Sequence, residues 1–254
     1  MNPTTLIPAT GYVRKVAEVT ATFWALKIIA TTLGETAGDY LSQTLGLGYV
    51  AGLAITGAIL VALVAAQLVA RNFHPVLFWA AITGTTMAGT EISDLMDRTL
   101  GLGYAAGSAL LLGGLLASLA IWYRREGSLE IDRIHGRGAE TMFWIAVLFL
   151  NSLGTAYGDY LVDNMGLGYM YAAAICTGVI ALVLILHYRR SVNEAALFWI
   201  AFIFTRPFGA TFGDLLTKPM AKGGFDLGTL NASAVCLLLM TALVTAAMLQ
   251  RRRA

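Results

Sequence analysis

The chain has 254 residues, of which 57% are hydrophobic and only 13% are charged, with a formal net charge of +2. Soluble domains typically carry about 25% charged and about 45–50% apolar residues. These values exclude an ordinary soluble protein and predict an integral membrane protein whose first partner is membrane lipid. The small net charge gives no indication of a nucleic-acid partner.

Eight apolar segments follow one another along the chain, each close to the ~20 residues with which a helix crosses a bilayer. They cover residues 16–38, 49–70, 75–96, 104–123, 140–161, 168–188, 194–216 and 228–249. The first segment is too long for the core of a cleavable signal peptide, so we interpret it as a retained span. Residues 1–13 are expected to form a loose cytoplasmic lead.

A motif of eight residues recurs in the odd-numbered segments, at 34–41, 89–96, 154–161 and 209–216. Each copy contains an Asp that lies 15 residues after a Trp, and each Trp follows a Phe. The Trp residues are Trp24, Trp79, Trp144 and Trp199, and the Asp residues are Asp39, Asp94, Asp159 and Asp214. A register held over four copies indicates that one two-helix unit was repeated.

The spacing of the copies divides the chain into two halves, because consecutive motif Asp residues are 55, 65 and 55 residues apart. We predict a first half at 1–123 with repeats at 16–70 and 75–123, a cytoplasmic linker at 124–137, and a second half at 138–254 with repeats at 140–188 and 194–249. Each repeat contains two spans, so all four enter the membrane in the same direction. The predicted fold is an all-α membrane protein with eight transmembrane helices and four parallel repeats in a pseudo-fourfold arrangement.

A Gly-rich turn joins the two helices of each repeat. It reads Leu-Gly-Leu-Gly-Tyr in the first two copies and Met-Gly-Leu-Gly-Tyr in the third, and it is five residues longer in the fourth. A short turn predicts that each odd helix packs with the following even helix as an antiparallel hairpin. The even helices are almost purely apolar, so we expect them to lie outside and to face lipid.

Small residues spaced four apart precede every motif Asp. They are Gly34 and Gly38, Gly89 and Ser93, Gly154 and Gly158, and Gly209 and Gly213. This spacing allows helix backbones to approach closely in a membrane. We therefore expect the odd helices to contact one another and to bring the four Asp residues together at one depth.

Further polar residues accompany the motif Asp residues on the odd helices. The additional ion-binding candidates are Glu35, Glu91 and Asn151, and the basic residues are Lys27 and Arg206. Six acids against two bases leave a net charge of −4 when all are ionised, which protons or cations must neutralise. We interpret Lys27 and Arg206 as residues that tune this cluster. Arg206 is expected to be a counter-ion to Asp214 or its neighbours, or a structural salt bridge.

This cluster predicts a transporter that moves a cation in competition with protons, because both bind carboxylate oxygens. Oxygen ligands without Cys or His favour Mn²⁺, Mg²⁺ or Ca²⁺ over Zn²⁺ or Cu²⁺, and manganese is the preferred substrate. The four motif Asp residues are the predicted metal ligands, and no cofactor is expected. The alternatives are a transporter of a small organic solute, a non-transporting scaffold or sensor subunit, and an architectural motif that ends each helix near the outer interface. No common catalytic motif is present, so an enzyme is not expected.

The repeated Phe-Trp, Gly-x-x-x-Gly-Asp and Leu-Gly-Leu-Gly-Tyr elements resemble those of a family of bacterial membrane proteins built from a repeat of unknown function. The resemblance covers essentially the whole chain, and the fourth copy departs from it by its longer turn. It implies the repeat architecture and a location in the bacterial inner membrane. It implies no substrate.

Basic residues are distributed unequally between the two sides of the membrane. Twelve flank one set of helix ends, against Arg98, Lys218 and Lys222 at the other ends. The twelve are Arg14, Lys15, Arg71, Arg124, Arg125, Arg133, Arg137, Arg189, Arg190 and Arg251 to Arg253. By the positive-inside rule, both termini and the linker at 124–137 are predicted to be cytoplasmic.

Cysteine labelling tests this orientation. A single Cys at Ser128 or at Ala254, in a chain whose Cys176 and Cys236 are replaced by Ser, should react with a membrane-permeant maleimide. It should stay unlabelled when intact cells receive an impermeant maleimide, because both positions are predicted to be cytoplasmic. Labelling by the impermeant reagent would reverse the orientation and leave the repeat architecture untouched.

Overall fold

The computed structural model describes residues 15–70, 72–134, 136–189 and 193–253, and this part of the chain is helical without strands. The predicted lead at 1–13 lies outside the described residues, as do Arg14, Arg71 and Arg190. The side chains of Arg133 and of Arg251 to Arg253 also lie outside the described part of the chain. The structure therefore gives no information on the surroundings of these basic residues.

In the part of the chain that the structure describes, eight helices of 19 to 25 residues correspond one to one to the predicted segments. They are α1 (Ala21–Asp39), α2 (Gly48–Val69), α3 (Pro75–Asp94), α4 (Gly103–Glu126), α5 (Arg137–Asp159), α6 (Tyr169–Tyr188), α7 (Glu194–Thr217) and α8 (Thr229–Arg253). Helix α1 begins at Ala21, five residues after the start of the predicted segment at 16–38, because the Thr20 hydroxyl caps it by accepting a hydrogen bond from the Phe23 N–H at 3.3 Å.

Six of these helices are long and apolar enough to cross a membrane: α2, α4, α5, α6, α7 and α8. This supports a membrane protein. The other two, α1 and α3, carry the densest polar stripes of the chain, and most of their residues are buried inside the protein. Their lower hydropathy follows from this position, since a helix enclosed by other helices presents few side chains to lipid.

The four odd-numbered helices close a ring. Helix α1 contacts α3, α3 contacts α5, α5 contacts α7, and α7 contacts α1. The Phe-Trp pairs lie at one end of this ring, which we call the Trp end, and the motif Asp residues lie at the other, which we call the Asp end. Side chains on these helices are largely buried, whereas each of the even helices α2, α4 and α6 buries only four or five residues. The Asp-bearing helices therefore form the interior, in agreement with the pattern of the sequence.

The first glycine of each motif lies against the next odd helix of the ring. A Cβ placed on Gly34 would collide with Thr86, one on Gly89 with Asn151, one on Gly154 with Arg206, and one on Gly209 with Thr31. These four partners occupy the same position of the repeat, seven residues after the Trp. The same close approach thus occurs four times around the ring, which confirms that the small residues allow the odd helices to touch.

The even helices do not pack where the short turns predict. Helix α2 packs along α3, α4 along α5, α6 along α7, and α8 along α1, so each even helix lies against the odd helix of the following repeat. The hairpin prediction is therefore wrong. Gly46 and Gly48 adopt the left-handed conformation, with φ of 68° and 74°, and lead the chain away from α1. Gly52 of α2 then makes room for the Glu91 side chain of α3.

Three of the four motifs are followed by a π-helical turn that begins directly after the Asp. These turns are Tyr40–Thr44, Leu95–Thr99 and Tyr160–Asn164. The Asp therefore does not end the helix, since the chain stays helical for five more residues. In the fourth repeat α7 remains regular to Thr217, and the longer turn folds back on it through Met220–Lys222. Such wide turns within helices are frequent at functional sites.

Aromatic rings fill the Trp end of the ring. Phe23 contacts Trp79 with ring centroids 5.4 Å apart, and Phe78 contacts Trp144 at 5.8 Å. Trp122 of α4 connects Phe143 and Trp199 at 6.4 and 5.8 Å. The Phe-Trp pairs are thus packing residues, and they close this end of the interior.

Replacement of Gly89 by Ala should destabilise the protein by about 1–3 kcal/mol, the usual cost of overpacking. The added Cβ would lie 2.9 Å from the Ser152 nitrogen and 3.0 Å from the Asn151 carbonyl carbon, and neither backbone atom can move aside freely. Gly113→Ala on α4 is the control, since nothing lies within 4 Å of its Cβ. Thermal unfolding of the purified variants measures both, and equal stability of the two would contradict the close approach.

Candidate functional site

The four motif Asp residues lie together and are buried. Their exposed fractions are 2% for Asp39 and Asp94, 5% for Asp159 and 7% for Asp214. Isolated helix ends in headgroups or bulk solvent would leave these side chains exposed. The burial instead places four carboxyl groups inside the ring, as the register of the sequence predicts.

Two basic side chains join the four carboxylates in pairs. Arg98 lies 3.1 Å from Asp94 through Nε and 2.9 Å from Asp159 through Nη2. Lys218 lies 2.8 Å from Asp39 and 3.1 Å from Asp214 through the single Nζ. Each base follows its own motif Asp by four residues and reaches the Asp of the next repeat in the ring. The Asp end therefore contains two bridges, in each of which one basic side chain joins two carboxylates.

Sequence reasoning missed this role of Arg98 and Lys218, which it treated only as outer bases. The available signal was their spacing, because residues four apart share one face of a helix. The same position holds Gln43 in the first repeat and Asp163 in the third. Gln43 donates a hydrogen bond of 2.6 Å to Asp39, and Asp163 accepts one of 2.9 Å from Tyr104.

Arg206 forms a second polar layer nearer the Trp end. Its side chain is fully buried, and its Nη2 lies 2.8 Å from Glu35 and donates to Thr90 at 2.6 Å and to Thr155. The acid paired with Arg206 is thus Glu35, a neighbour of Asp214, and not Asp214 itself. The members of this layer come from all three other repeats, so Arg206 ties the four odd helices together.

Lys27 and Asn151 form the next layer toward the Trp end, where both are fully buried. The Lys27 ammonium donates to the Asn151 side-chain oxygen at 3.2 Å and lies 4.0 Å from the centre of the Phe202 ring. Asn151 in turn donates to Thr85 at 2.9 Å. This layer separates the acids from the aromatic rings of the Trp end.

The structure does not bring Glu91 into this cluster. Its buried carboxyl group lies in the contact between α2 and α3, where it fills the space next to Gly52. Within the described residues neither of its oxygens has a hydrogen bond of standard geometry. Glu91 is thus a buried acid separate from the four motif Asp residues.

Three carboxylates come close enough to share one metal ion. One oxygen from each of Glu35, Asp39 and Asp214 lies within 4.8 Å of the other two, and all three residues are buried. A cavity of about 210 Å³ opens at the Asp end, with Asp214, Lys218, Asp159 and Arg98 in its wall. Of the three carboxylates only Asp214 lines this cavity, so it is the member of the group that a cation entering from the Asp end would meet first.

The charge of the interior differs from the balance expected from sequence. Glu91 lies apart from the cluster, and Arg98 and Lys218 join Lys27 and Arg206, so five acids face four bases and the net charge is −1, not −4. The cluster is still acidic, and its negative charge is concentrated around Glu35, Asp39 and Asp214. A bound cation or bound protons can neutralise it.

Comparison with known families identifies the repeated unit. One family model, described as "Repeat of Unknown Function (DUF347)", matches the chain four times, at residues 22–73, 77–128, 142–193 and 197–253. No curated protein and no solved structure matches the chain significantly. The four matches cover the four repeats that the Trp-to-Asp register defines.

Replacement of Arg98 by Gln should lower the free energy of unfolding by about 2–3 kcal/mol. Breaking a fully buried ion pair costs about 3–5 kcal/mol, and the partial exposure of Arg98 reduces this value. A second change, Asp159→Asn, should restore part of the loss because it removes one of the unpaired charges. Unfolding of the purified single and double variants gives the comparison.

Arg124→Gln at the exposed end of α4 is the control and should change stability by no more than about 0.5 kcal/mol. An Arg98→Gln protein as stable as the wild type would show that the bridge between Asp94 and Asp159 contributes nothing.

Proposed function

The chain belongs to the DUF347 repeat family, and we propose that it is a membrane transporter that moves a divalent cation in competition with protons, with manganese as the preferred substrate. The family description states no activity, so the proposal rests on the chemistry of the acidic cluster.

The observation that carries the proposal is the convergence of Glu35, Asp39 and Asp214, of which Asp214 lines the cavity at the Asp end. Carboxylate oxygens are the ligands that Mn²⁺, Mg²⁺ and Ca²⁺ prefer. Three carboxylates carry a charge of −3, and the pairing of Arg206 with Glu35 leaves −2, which Lys218 in its observed position reduces to −1. A divalent ion that takes the place of Lys218 neutralises the site, whereas a monovalent ion in that place leaves a net negative charge in a buried site.

Protons compete with the metal in this proposal because both bind the same oxygens. Like charges in contact and out of water cannot all stay ionised, so an empty cluster takes up protons or another cation. Binding of Mn²⁺ then displaces protons, and cation affinity should fall as the pH is lowered. This linkage provides the coupling that a proton-driven carrier needs.

We further propose that all eight helices span the bilayer and that the four repeats are related by a pseudo-fourfold axis along the membrane normal. Helices α1 and α3 contact α7 and α5, which are apolar enough to span, and they have similar lengths. The recurring contact between the first motif glycine and the next odd helix supports the fourfold relation. The expected location is the bacterial inner membrane, with both termini in the cytoplasm.

Passage from the cluster to the Trp end is closed in this arrangement. A cation moving in that direction meets Arg206, then Lys27, and then the aromatic rings. The transport cycle therefore requires a change in the contacts between the odd helices, which separates a state open at the Asp end from a state open at the Trp end. Among the odd helices, the halves contact each other between α3 and α5 and between α7 and α1, and a rigid movement of one half against the other would change only these two contacts of the ring.

A small organic solute is the second candidate, and one observation favours it. Arg206 is fully buried, yet its Nε and Nη1 have no hydrogen-bond partner among the described residues. A solute with an anionic group and an amine would pair with Arg206 and with the carboxylates together. Binding of Mn²⁺ without any organic molecule separates the two candidates.

Asp39→Asn and Asp214→Asn should each abolish Mn²⁺ uptake into proteoliposomes. Asn keeps the size of the side chain and one carbonyl oxygen but removes the charge that attracts the cation. The measurement is uptake by the purified, reconstituted protein at two values of pH, with folding checked by thermal unfolding.

Asp226→Asn is the matched control at the same end of the protein. Asp226 is exposed, and its φ of 56° is one that Asn also adopts readily, so this variant should transport like the wild type. Wild-type affinity and an unchanged pH profile in the Asp39 and Asp214 variants would refute the transport site and favour an architectural motif.

A further inference from the structure

The two bridges at the Asp end are built from different cations. In the Arg98 bridge each Asp contacts its own nitrogen, Nε or Nη2, and the guanidinium also lies 5.9 Å from the centre of the Tyr104 ring. A planar guanidinium held on three sides has a defined orientation. This bridge is suited to holding Asp94 and Asp159 permanently.

The Lys218 bridge has a different geometry. One atom, Nζ, contacts both Asp39 and Asp214, so the ammonium group lies at the point where the two carboxylates converge. Glu35 supplies a third carboxylate on this side, whereas the equivalent residue on the Arg98 side is Thr155. A compact point charge surrounded by acids stands where a metal ion would be coordinated.

The backbone of Lys218 allows its side chain to leave without moving a helix. Lys218 is the first residue after α7 and is extended, with φ of −72° and ψ of 152°. Its N–H donates to the Asp214 carbonyl at 2.8 Å, and its carbonyl accepts from the Asp226 N–H at 3.0 Å. The backbone is therefore held, while the side chain is 21% exposed and borders the cavity, where rotation about its own bonds carries the ammonium outward.

We propose that Lys218 is a tethered counter-ion that occupies the cation site when it is empty and swings into the cavity when a divalent cation binds. This inference rests on the proposed transport function, because it concerns the site formed by Glu35, Asp39 and Asp214. The longer turn of the fourth repeat, which places Lys218 outside the helix, is the feature that makes it possible.

Charge and distance make the two occupants exclude each other. With Lys218 in place, the three carboxylates, Arg206 and Lys218 sum to −1, and with a divalent ion instead of Lys218 they sum to zero. With both present the site would carry an excess positive charge. Divalent ions coordinate oxygen at about 2.0–2.6 Å, which leaves no room for an ammonium group at 2.8 and 3.1 Å from the same two residues.

Arg98 is expected to stay in place throughout, because its bridge lacks the third acid and engages two separate nitrogens. The fourfold backbone therefore contains one exchangeable site and one fixed bridge. The predicted stoichiometry is one divalent ion per chain.

Titration of the purified full-length protein with MnCl₂ at one fixed pH tests the proposal. Lys218→Gln should bind Mn²⁺ about tenfold more tightly than the wild type, since a like charge beside a cation is costly. Lys218→Arg should bind about tenfold more weakly, because a guanidinium can hold both carboxylates at once. Arg98→Lys is the matched control and should give no tightening.

A measurement on the wild-type protein does not depend on folding of the variants. Acetylation by an amine-reactive reagent, read by peptide mass spectrometry, should increase at Lys218 on addition of MnCl₂ and stay constant at the exposed Lys222. Wild-type binding of Mn²⁺ without a rise in Lys218 labelling, or without tightening in Lys218→Gln, would overturn the tethered counter-ion alone. A wild-type protein that binds neither Mn²⁺, Mg²⁺ nor Ca²⁺ would overturn the proposed function itself.

Discussion

The interior depends on the absence of a side chain at one position of each repeat. Gly34, Gly89, Gly154 and Gly209 lie directly against the next odd helix, and no larger residue fits there without displacing a neighbour. Backbones in such contact leave little space for lipid or water between the four helices. Polar residues that point inward therefore bond to their own helix, as the hydroxyl groups of Thr32 and Thr90 do, or to another helix, as Arg206 does to Glu35.

This enclosure explains why the charged residues occur in layers. Along each odd helix polar positions recur about every four residues, and each layer of the ring joins side chains from two successive positions, as Arg206 joins Glu35, Thr90 and Thr155. The Arg206 layer contains one cation and one carboxylate, joined by the hydroxyl groups of Thr90 and Thr155. The layer at the Asp end contains four carboxylates, joined by two bases one turn beyond. Charges packed this tightly are stable only in pairs or with a bound ion.

The fourfold repetition of the sequence unit is not matched by the charges. A basic residue lies four positions after the motif Asp only in the second and fourth repeats. The position of Glu35 holds an acid only in the first repeat. The charged residues therefore repeat at most twice, once in each half of the chain. Even this relation is incomplete, because Glu35 of the first repeat corresponds to the neutral Thr155 of the third. A repeated scaffold thus holds one acidic pocket, formed between α1 and α7, where the last repeat meets the first.

Most of the helical scaffold followed from the sequence, since apolar runs near 20 residues and an unvarying Trp-to-Asp spacing are local signals. The convergence of the motif Asp residues followed too, because Gly-x-x-x-Gly specifies a close contact. The hairpin prediction failed because chain connectivity does not decide packing partners. Glu91 looked equivalent to the other acids, but a shift of one position along the helix directs it to α2.

What the sequence by itself determined is the set of helices, their repetition, and the burial of acids that lipid cannot solvate. These properties depend on spacing along one helix. Only the tertiary structure decided that Arg98 and Lys218 bridge neighbouring repeats, that Arg206 pairs with Glu35, and that Glu35, Asp39 and Asp214 share one pocket. Each of these contacts joins different helices, and its distance depends on the order and rotation of the helices around the ring, which no single repeat encodes.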